Sequence, residues 1–388
     1  MKKMIVLLLS SLLLLSSCAP KFEKDEQVVQ ETDNKKQKAI IPKYNISNEY
    51  YRTILPFQPG EARGLVVENL HTRLDMDEFE LGMMRIAQET FPPKEYLFQE
   101  GQYLDKETIK SWLMRKMTKE QLKEHKMTES ENVGLNPILS DNGTNEEKNK
   151  KSPLYLAHIM EHDYLIKTGD DKVELAGVVI GLAMNSVHYY ETEEGYPREV
   201  RIPKDEIERE GKKIAAEVVS RMRKIDGLGE VPIIVALFEQ QPKASIIPGH
   251  FFAAGYVDKG SDSIQEWEEI NEEYYLFPSD EAQKNHRDDL AKFLNFKSDI
   301  EEFFPNYTGV VGRAFYRDDQ LQQLTIQITM QFYGKGEVIG FTQYVTGLMM
   351  EKFPDYVPIS IYISSMGGPE SIIIRNPEDD EPFVHIYQ

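Results

Sequence analysis

The chain has almost no cysteine: Cys18 is the only one in 388 residues. An intramolecular disulfide needs two cysteines, so no covalent cross-link can stabilise the fold. A chain of this length can instead bury a core large enough to be stable without one. The sequence therefore predicts a protein that is held together by packing alone.

Positive charge is also scarce. Lys and Arg number 45 against 65 Asp and Glu, which gives a net charge of −20. Such an excess of carboxylates repels nucleic-acid phosphates and anionic lipid surfaces, so we expect no nucleic-acid partner. After the first residues the sequence also lacks any apolar run long enough to span a bilayer. We therefore expect a single attachment point at most.

The first eighteen residues have the pattern of a secretory signal. Lys2 and Lys3 precede an apolar run at 4–15, about a dozen residues against the roughly 20 of a membrane-spanning helix. The run ends in Leu15-Ser16-Ser17-Cys18, as in bacterial lipoproteins. We predict a signal peptide at 1–17, a lipobox at Leu15, Ser16 and Ser17, and lipidation of Cys18 on the extracytoplasmic face of the cell membrane. The alternative is a transmembrane anchor whose cysteine is there by chance.

The next segments divide by polarity. Residues 18–40 predict a lipidated N-terminus and flexible tether, because they contain too little apolar surface to offset the entropy of ordering. Residues 41–140 predict a mixed α/β region, and 141–152 a polar linker. Within the region we expect a strand at Gly64–Val67, a helix over 78–90 capped by Asp75 or Asp77, a helix starting at Asp105, and a capping box of Thr118 and Gln121.

The rest of the chain contains an internal repeat. Val231-Pro232-Ile233 and Ser245-Ile246-Ile247 recur at Val357-Pro358-Ile359 and Ser371-Ile372-Ile373, 126 residues later in both cases. Each motif follows an amphipathic helix, at 204–225 and 337–353, and each helix follows a possible hairpin. We predict an α+β fold with duplicated β-β-α-β-β units at 153–257 and 305–388, their helices on one face of each sheet. A helical connector is expected at 258–304, with Ile264, Trp267 and Ile270 on one stripe; the alternative is a coincidental pair of strand motifs.

Few residues suggest chemistry. His158-Ile159-Met160-Glu161-His162 fits H-x-x-E-H, the zinc-protease pattern, but that pattern needs a helix and no third ligand can be named. Gly334-Lys335-Gly336 lacks the spacing of a phosphate loop. The glutamates at 266–273 lack the loop glycine of a calcium site and predict a solvated helix face. No nucleophile, base and orienting group can be assembled, so we predict no catalytic residue, no metal and no cofactor.

Four features occur together in one known family. They are the lipobox, the segment Pro59-Gly60-Glu61-Ala62-Arg63-Gly64-Leu65, the segment Gly134-Leu135-Asn136-Pro137, and the C-terminal part with its two VPI motifs. In these features the chain resembles the CamS family, the sex-pheromone precursor lipoproteins of Gram-positive bacteria. The resemblance covers nearly all of the chain after the signal peptide. It implies an α/β-roll-like C-terminal domain, a membrane anchor of palmitate type and no established enzymatic activity.

The resemblance also implies that part of the signal peptide becomes a pheromone. Its partners would be the signal peptidase for lipoproteins and a membrane protease. The candidate peptide consists of Ser11, Leu12, Leu13, Leu14, Leu15, Ser16 and Ser17. Three hypotheses follow for the whole protein: a pheromone precursor with a non-catalytic folded domain of unknown ligand, a lipid-anchored solute-binding protein, and a surface metalloprotease.

Overall fold

The computed structural model describes residues 26–32, 35–47, 49–169, 172–304, 307–377 and 379–388. The predicted signal peptide, lipobox, pheromone peptide and Cys18 lie outside these residues. In the part of the chain that is described, no helix has both the length and the apolar character that crossing a membrane requires.

Most of the described chain is organised around two large sheets. The first has the strand order β11-β10-β9-β6-β5-β4-β3, and a β1-β2 hairpin joins it beside β6. Its strands are β1 (Glu26–Thr32), β2 (Lys35–Ile41), β3 (Arg52–Thr53), β4 (Tyr96–Glu100), β5 (Leu156–Thr168), β6 (Lys172–Asn185), β9 (Ile233–Gln240), β10 (His250–Val257) and β11 (Glu266–Glu269). A separate two-stranded ribbon contains β7 (Val187–Glu191) and β8 (Pro197–Arg201).

The second sheet has the order β12-β13-β14-β15-β16-β17. Its strands are β12 (Glu272–Phe277), β13 (Tyr307–Arg317), β14 (Gln320–Met330), β15 (Ile359–Ser365), β16 (Gly368–Arg375) and β17 (Phe383–Ile386). The helices of the described residues are α1 (Leu65–Asn69), α2 (Arg73–Ala87), α3 (Lys106–Leu113), α4 (Lys119–Glu124), α5 (Asn145–Lys151), α6 (Lys204–Met222), α7 (Asp280–Asn285), α8 (Arg287–Phe303) and α9 (Lys335–Lys352), with a 3₁₀ turn at Glu129–Glu131. The α+β class is confirmed.

The first sheet has helices on both faces, where one covered face was predicted. Val178, Ile180 and Leu182 of β6 pack in the core that includes α6, whereas Val179 and Ala183 pack in the core that includes α2. A strand covered on both sides needs apolar residues at consecutive positions, which explains why 177–185 are buried without alternation. Among the described residues, the second sheet does have helices on one face only, and it exposes side chains such as Tyr362 and Phe383 on the other.

Both sheets contain the same local connection. In each, a hairpin is followed by a helix, a strand parallel to the second hairpin strand, and a further antiparallel strand. Pro232 and Pro358 directly precede β9 and β15. The N–H of Val178 donates to the carbonyl of Pro232 at 3.1 Å, and that of Leu324 to the carbonyl of Pro358 at 3.0 Å. Each proline thus accepts a hydrogen bond through its carbonyl at a position where its missing N–H is not needed.

Local capping signals predicted several helix starts correctly. Asp105 caps α3 by accepting from the N–H of Thr108 at 2.7 Å. Thr118 and Gln121 form the predicted capping box of α4. Helix α2, however, begins at Arg73 and is capped by Thr72, because Asp75 turns inward and accepts from the N–H of Gly249 at 2.7 Å.

Four other predictions are corrected by the structure. Residues 65–67 belong to helix α1 and not to a strand, since an apolar run of three residues does not distinguish the two. The tether was predicted to extend to residue 40, but the β1-β2 hairpin buries Val28, Ala39 and Ile41 beside β6. The linker 141–152 contains α5, which begins with a capping box of Thr144 and Glu147.

The predicted connector is the fourth correction. Its first half forms β11 and β12 and not a helix, because β11 pairs with β10, where Trp267 lies opposite Gly255. The N-terminal region contributes to the first sheet, since its strand β4 pairs with β5.

Candidate functional site

The H-x-x-E-H motif lies on strand β5 and not on a helix. Successive side chains of a strand point to opposite faces, so Glu161 projects away from the face that carries His158 and His162. His158 contacts the amide of Asn69 through Nδ1 at 3.0 Å, and His162 packs edge-on against Phe98. Burial lowers the pKa of His158 to about 4 and that of His162 to about 3. These positions do not match the geometry of a zinc protease.

Across the described residues, no group of three or more His, Cys, Asp or Glu side chains is placed to hold a metal ion.

The opposite face of β5 carries a buried pair of acids. Glu161 accepts the N–H groups of Tyr103 and Leu104, the latter at 2.7 Å, and Asp163 accepts that of Gln102 at 3.0 Å. Burial raises the pKa of both carboxyls, and the charge of Glu161 raises that of Asp163 further. A Cβ on Gly101 would lie 2.4 Å from Cβ of Glu161, so only glycine permits this close approach.

Both segments that carried the family resemblance support this part of the fold. In the first, the N–H of Gly60 donates to Glu100 at 2.6 Å and that of Glu61 to the carbonyl of Gly101 at 3.1 Å. In the second, Asn136 is fully buried and bonds the backbone of Leu156 in both directions, at 2.9 and 3.0 Å. Their contacts with β4 and β5 are those of structural residues.

A buried ion-pair cluster joins the two sheets. Arg85 of α2 contacts Glu78 at 2.6 Å and Glu272 of β12 at 2.8 Å. Arg317 contacts Glu272 as well, at 3.2 Å, and the hydroxyl of Tyr274 donates to Glu78 at 2.5 Å. Glu272 was predicted on a solvated helix face, but its side chain has no exposed surface.

A cleft of about 400 Å³ opens beside this cluster, and we call it the junction cleft. Pockets of this size at the meeting of two structural units commonly hold ligands. Three separate parts of the chain form its walls. They are the start of α6 with Lys204, Ile207, Glu208 and Lys212; the pair β9 and β10 with Glu239, His250, Phe252 and Ala253; and residues 267–273 of β11 and β12.

A second cleft, of about 320 Å³, lies near the β7-β8 ribbon. His71 and His188 line it, and each already uses one ring nitrogen within the fold. Nδ1 of His71 donates to the carbonyl of Gln241 at 3.1 Å, and Nε2 of His188 contacts Oδ1 of Asn149 at 2.8 Å. Burial lowers the pKa of both, to about 4 for His188, so both rings are neutral at pH 7.

Sequence reasoning did not find the junction cleft. Glu239, His250 and Trp267 belong to three strands, and no spacing within the chain relates them. The run of glutamates at 266–273 is the one signal in the sequence, and by itself it predicts a solvated helix face.

Comparisons with known proteins give a consistent result. The family model described as CamS sex pheromone cAM373 precursor matches residues 57–381. The C-terminal domain of the sex pheromone staph-cAM373 precursor from Staphylococcus aureus is 34% identical, with a TM-score of 0.72 over 82% of this chain and 98% of that one. The sex pheromone precursor from Lactobacillus salivarius is also 34% identical, with a TM-score of 0.79 over 90% and 98%. A search of curated proteins finds no match.

Proposed function

The chain belongs to the CamS sex pheromone precursor family, and on that basis we propose that it is a lipid-anchored extracytoplasmic lipoprotein whose signal peptide is the precursor of a short apolar pheromone. The family match over residues 57–381 carries the proposal. The sequence Leu15-Ser16-Ser17-Cys18 supports the anchor, because lipid attachment needs a thiol and the chain has no other.

The proposed processing has two steps. The signal peptidase for lipoproteins cuts before Cys18, and a membrane protease then cuts within the apolar run. The released peptide ends at Ser17, with Ser11–Ser17 as the candidate. Its four consecutive leucines carry no charge, and each contributes roughly 1.5–3 kcal/mol when fully buried, so an apolar receptor groove suits it.

The folded domain is proposed to be non-catalytic. The placement of His158 and Glu161 on opposite faces of β5 supports this, since a shared catalytic water cannot contact both. The equivalent hydrogen bonds of Pro232 and Pro358 support a duplicated β-β-α-β-β unit in the two sheets.

A second candidate function is ligand binding by the folded domain, as in a lipid-anchored solute-binding protein. The junction cleft favours it, because its volume lies within the range of small-molecule sites. This role is compatible with peptide release from the signal sequence.

Mass spectrometry of culture medium tests the precursor role. We expect a leucine-rich peptide ending at Ser17 from cells that make the intact chain. A chain truncated after residue 40 should release the same peptide if processing requires only the N-terminal segment. If the truncated lipoprotein is processed but the peptide is missing, the folded domain takes part in making the signal; if the intact chain releases none, the precursor role is refuted.

A synthetic Ser11–Ser17 peptide tests receptor binding apart from export. Leu13→Asp in this peptide should weaken binding sharply, because the groove would have to bury an unpaired charge. Leu13→Ile is the matched control, since it keeps the size and the apolar character.

A further inference from the structure

Two polar side chains of the junction cleft have no partner within the described chain. Glu239 and His250 are cross-strand neighbours on β9 and β10, so their side chains project from the same face. Both line the cleft and both are half-buried. Neither side chain makes a hydrogen bond or an ion pair with another described residue, and both can be reached from the cleft. A pair of adjacent acceptors is therefore left available on the wall of a cavity.

The cleft as a whole carries unbalanced negative charge. Glu272 is neutralised by Arg85 and Arg317. Glu208 contacts the ammonium of Lys212 at 2.5 Å. Of the remaining lining residues, Lys204 is the only cation, against four glutamates: Glu239, Glu268, Glu269 and Glu273. Two of these carboxylates accept a tyrosine hydroxyl, Glu268 that of Tyr256 and Glu273 that of Tyr275, which leaves their negative charge in place. Charge of this sign excludes anionic ligands and attracts cations.

The aromatic wall of the cleft already contacts an ammonium group. Nζ of Lys212 lies 5.4 Å from the ring centroid of Trp267. This distance is within the range of a cation–π contact, for which the indole ring is the best acceptor among side chains. A ligand cation would make the same kind of contact with the ring of Trp267.

From these observations we propose that the junction cleft binds a ligand through an alkylammonium group. Glu239 and His250 accept its N–H groups, and Trp267 packs against its charge and its alkyl chain. A carboxylate, an imidazole and a π face are all acceptors of positive charge, and an ammonium has three donors to satisfy them. The group belongs either to a free amine or to a lysine side chain of a peptide.

The environment of His250 fits this role. Burial lowers its pKa, as does Lys204 to a smaller degree, whereas Glu239, Glu273 and Glu272 raise it. Burial dominates, so the ring is neutral at pH 7 and has a lone pair that can accept a hydrogen bond.

Calorimetric titration of the purified full-length lipoprotein tests the proposal. The free-amine arm uses n-butylammonium, with N-butylacetamide as its neutral control. The peptide arm uses acetyl-Gly-Lys-Gly-amide, with its Nε-acetyl-lysine form as the control. We expect the charged member of at least one pair to bind and the neutral member not to. The arm with the higher affinity identifies the source of the ammonium.

Variants locate the site. Glu239→Gln should weaken binding by about tenfold or more, the effect of losing a charged hydrogen-bond partner. Glu120→Gln on the exposed surface of α4 is the matched control and should bind as the wild type does. Lys212→Gln should bind more tightly, because it frees the face of Trp267.

Fluorescence gives an independent readout. The chain has two tryptophans, so Trp112→Phe leaves Trp267 as the only one. Addition of the bound probe should change its emission, and circular dichroism checks that each variant is folded. Equal binding of neutral and charged probes, an unchanged affinity in folded Glu239→Gln, or no binding of any probe at millimolar concentration would overturn the proposal. Peptide release plays no part in these measurements, so such a failure leaves the precursor role unaffected.

Discussion

Arg85 and Glu272 form a two-point ion pair that joins the two sheets, with Nε to Oε1 at 2.9 Å and Nη2 to Oε2 at 2.8 Å. They are 187 residues apart in the chain. The guanidinium also packs on the ring of Phe315, 4.8 Å from its centroid. One side chain of α2 therefore contacts two strands of the second sheet, β12 and β13.

Removal of this arginine should be costly. Arg85→Ala leaves Glu78 and Glu272 without their principal partner, and loss of one member of a buried pair costs about 3–5 kcal/mol. We expect the free energy of unfolding in urea to fall by an amount in that range, reduced to the extent that Arg317 still neutralises Glu272. Arg73→Ala on the same helix breaks an exposed pair with Asp77 and should cost less than about 1 kcal/mol. Equal costs for the two variants would contradict this account.

The buried acids of β5 should make stability depend on pH. Burial and the charge of Glu161 raise the pKa of Asp163 in the folded state, so the folded chain binds more protons than the unfolded chain above the unfolded pKa, about 3.9. The stability from this group is therefore present at low pH and is lost as pH rises from about 4 towards the folded pKa. Asp163→Asn should reduce this loss. Denaturation between pH 5 and pH 8, above the unfolded pKa of about 3.9, measures the difference.

A second aspartate provides the control for this titration. Hydrogen bonds with Thr108 lower the pKa of Asp105, so its contribution is complete above its unfolded pKa, about 3.9, and is lost only as pH falls below that value. Above pH 5, well above the unfolded pKa of about 3.9, the stability of Asp105→Asn should therefore change with pH in parallel with that of the wild type. If Asp163→Asn is parallel too, the buried pair does not titrate as argued.

The two long helices α6 and α9 should be equally intolerant of charge on their buried faces. Val218 of α6 and Val345 of α9 have no exposed surface. Val218→Asp or Val345→Asp places an unpaired carboxylate in a core, which is expected to cost more than about 4 kcal/mol. Val67→Asp, at a position that is 65% exposed, should change the stability by about 0.5 kcal/mol or less. Thermal denaturation of the three variants measures the difference, and a fully stable Val218→Asp or Val345→Asp protein would show that the core is placed wrongly.

Lipid attachment should depend on a single atom, the thiol sulfur of Cys18. Cys18→Ala should lose all label from a palmitate analogue and should fail to fractionate with membranes as the wild type does. Ser17→Ala is the matched control, because it keeps a small residue before the thiol. Label that persists on the Cys18→Ala protein would refute the anchor.

The sequence by itself determined the features whose causes lie within a few residues. Asp105 and Thr118 cap helices because their side chains bond N–H groups three positions away. The spacing of apolar residues in α6 and α9 predicted both helices, since a core-facing stripe must repeat every turn. The α+β class followed from the alternation of these helices with strand motifs.

Only the tertiary structure decided what depends on distant partners. The same glutamate run would be solvated on a helix, but pairing with β10 and β13 makes it part of the strands β11 and β12. Arg85 and Arg317 make burial of Glu272 possible. The H-x-x-E-H motif likewise forms a strand and not a helix, because β5 pairs with β4 on one side and β6 on the other. The free energy of strand pairing and burial exceeds the weak preference of a short segment for one secondary structure. The junction cleft is likewise formed by residues from distant parts of the chain, which no local pattern relates.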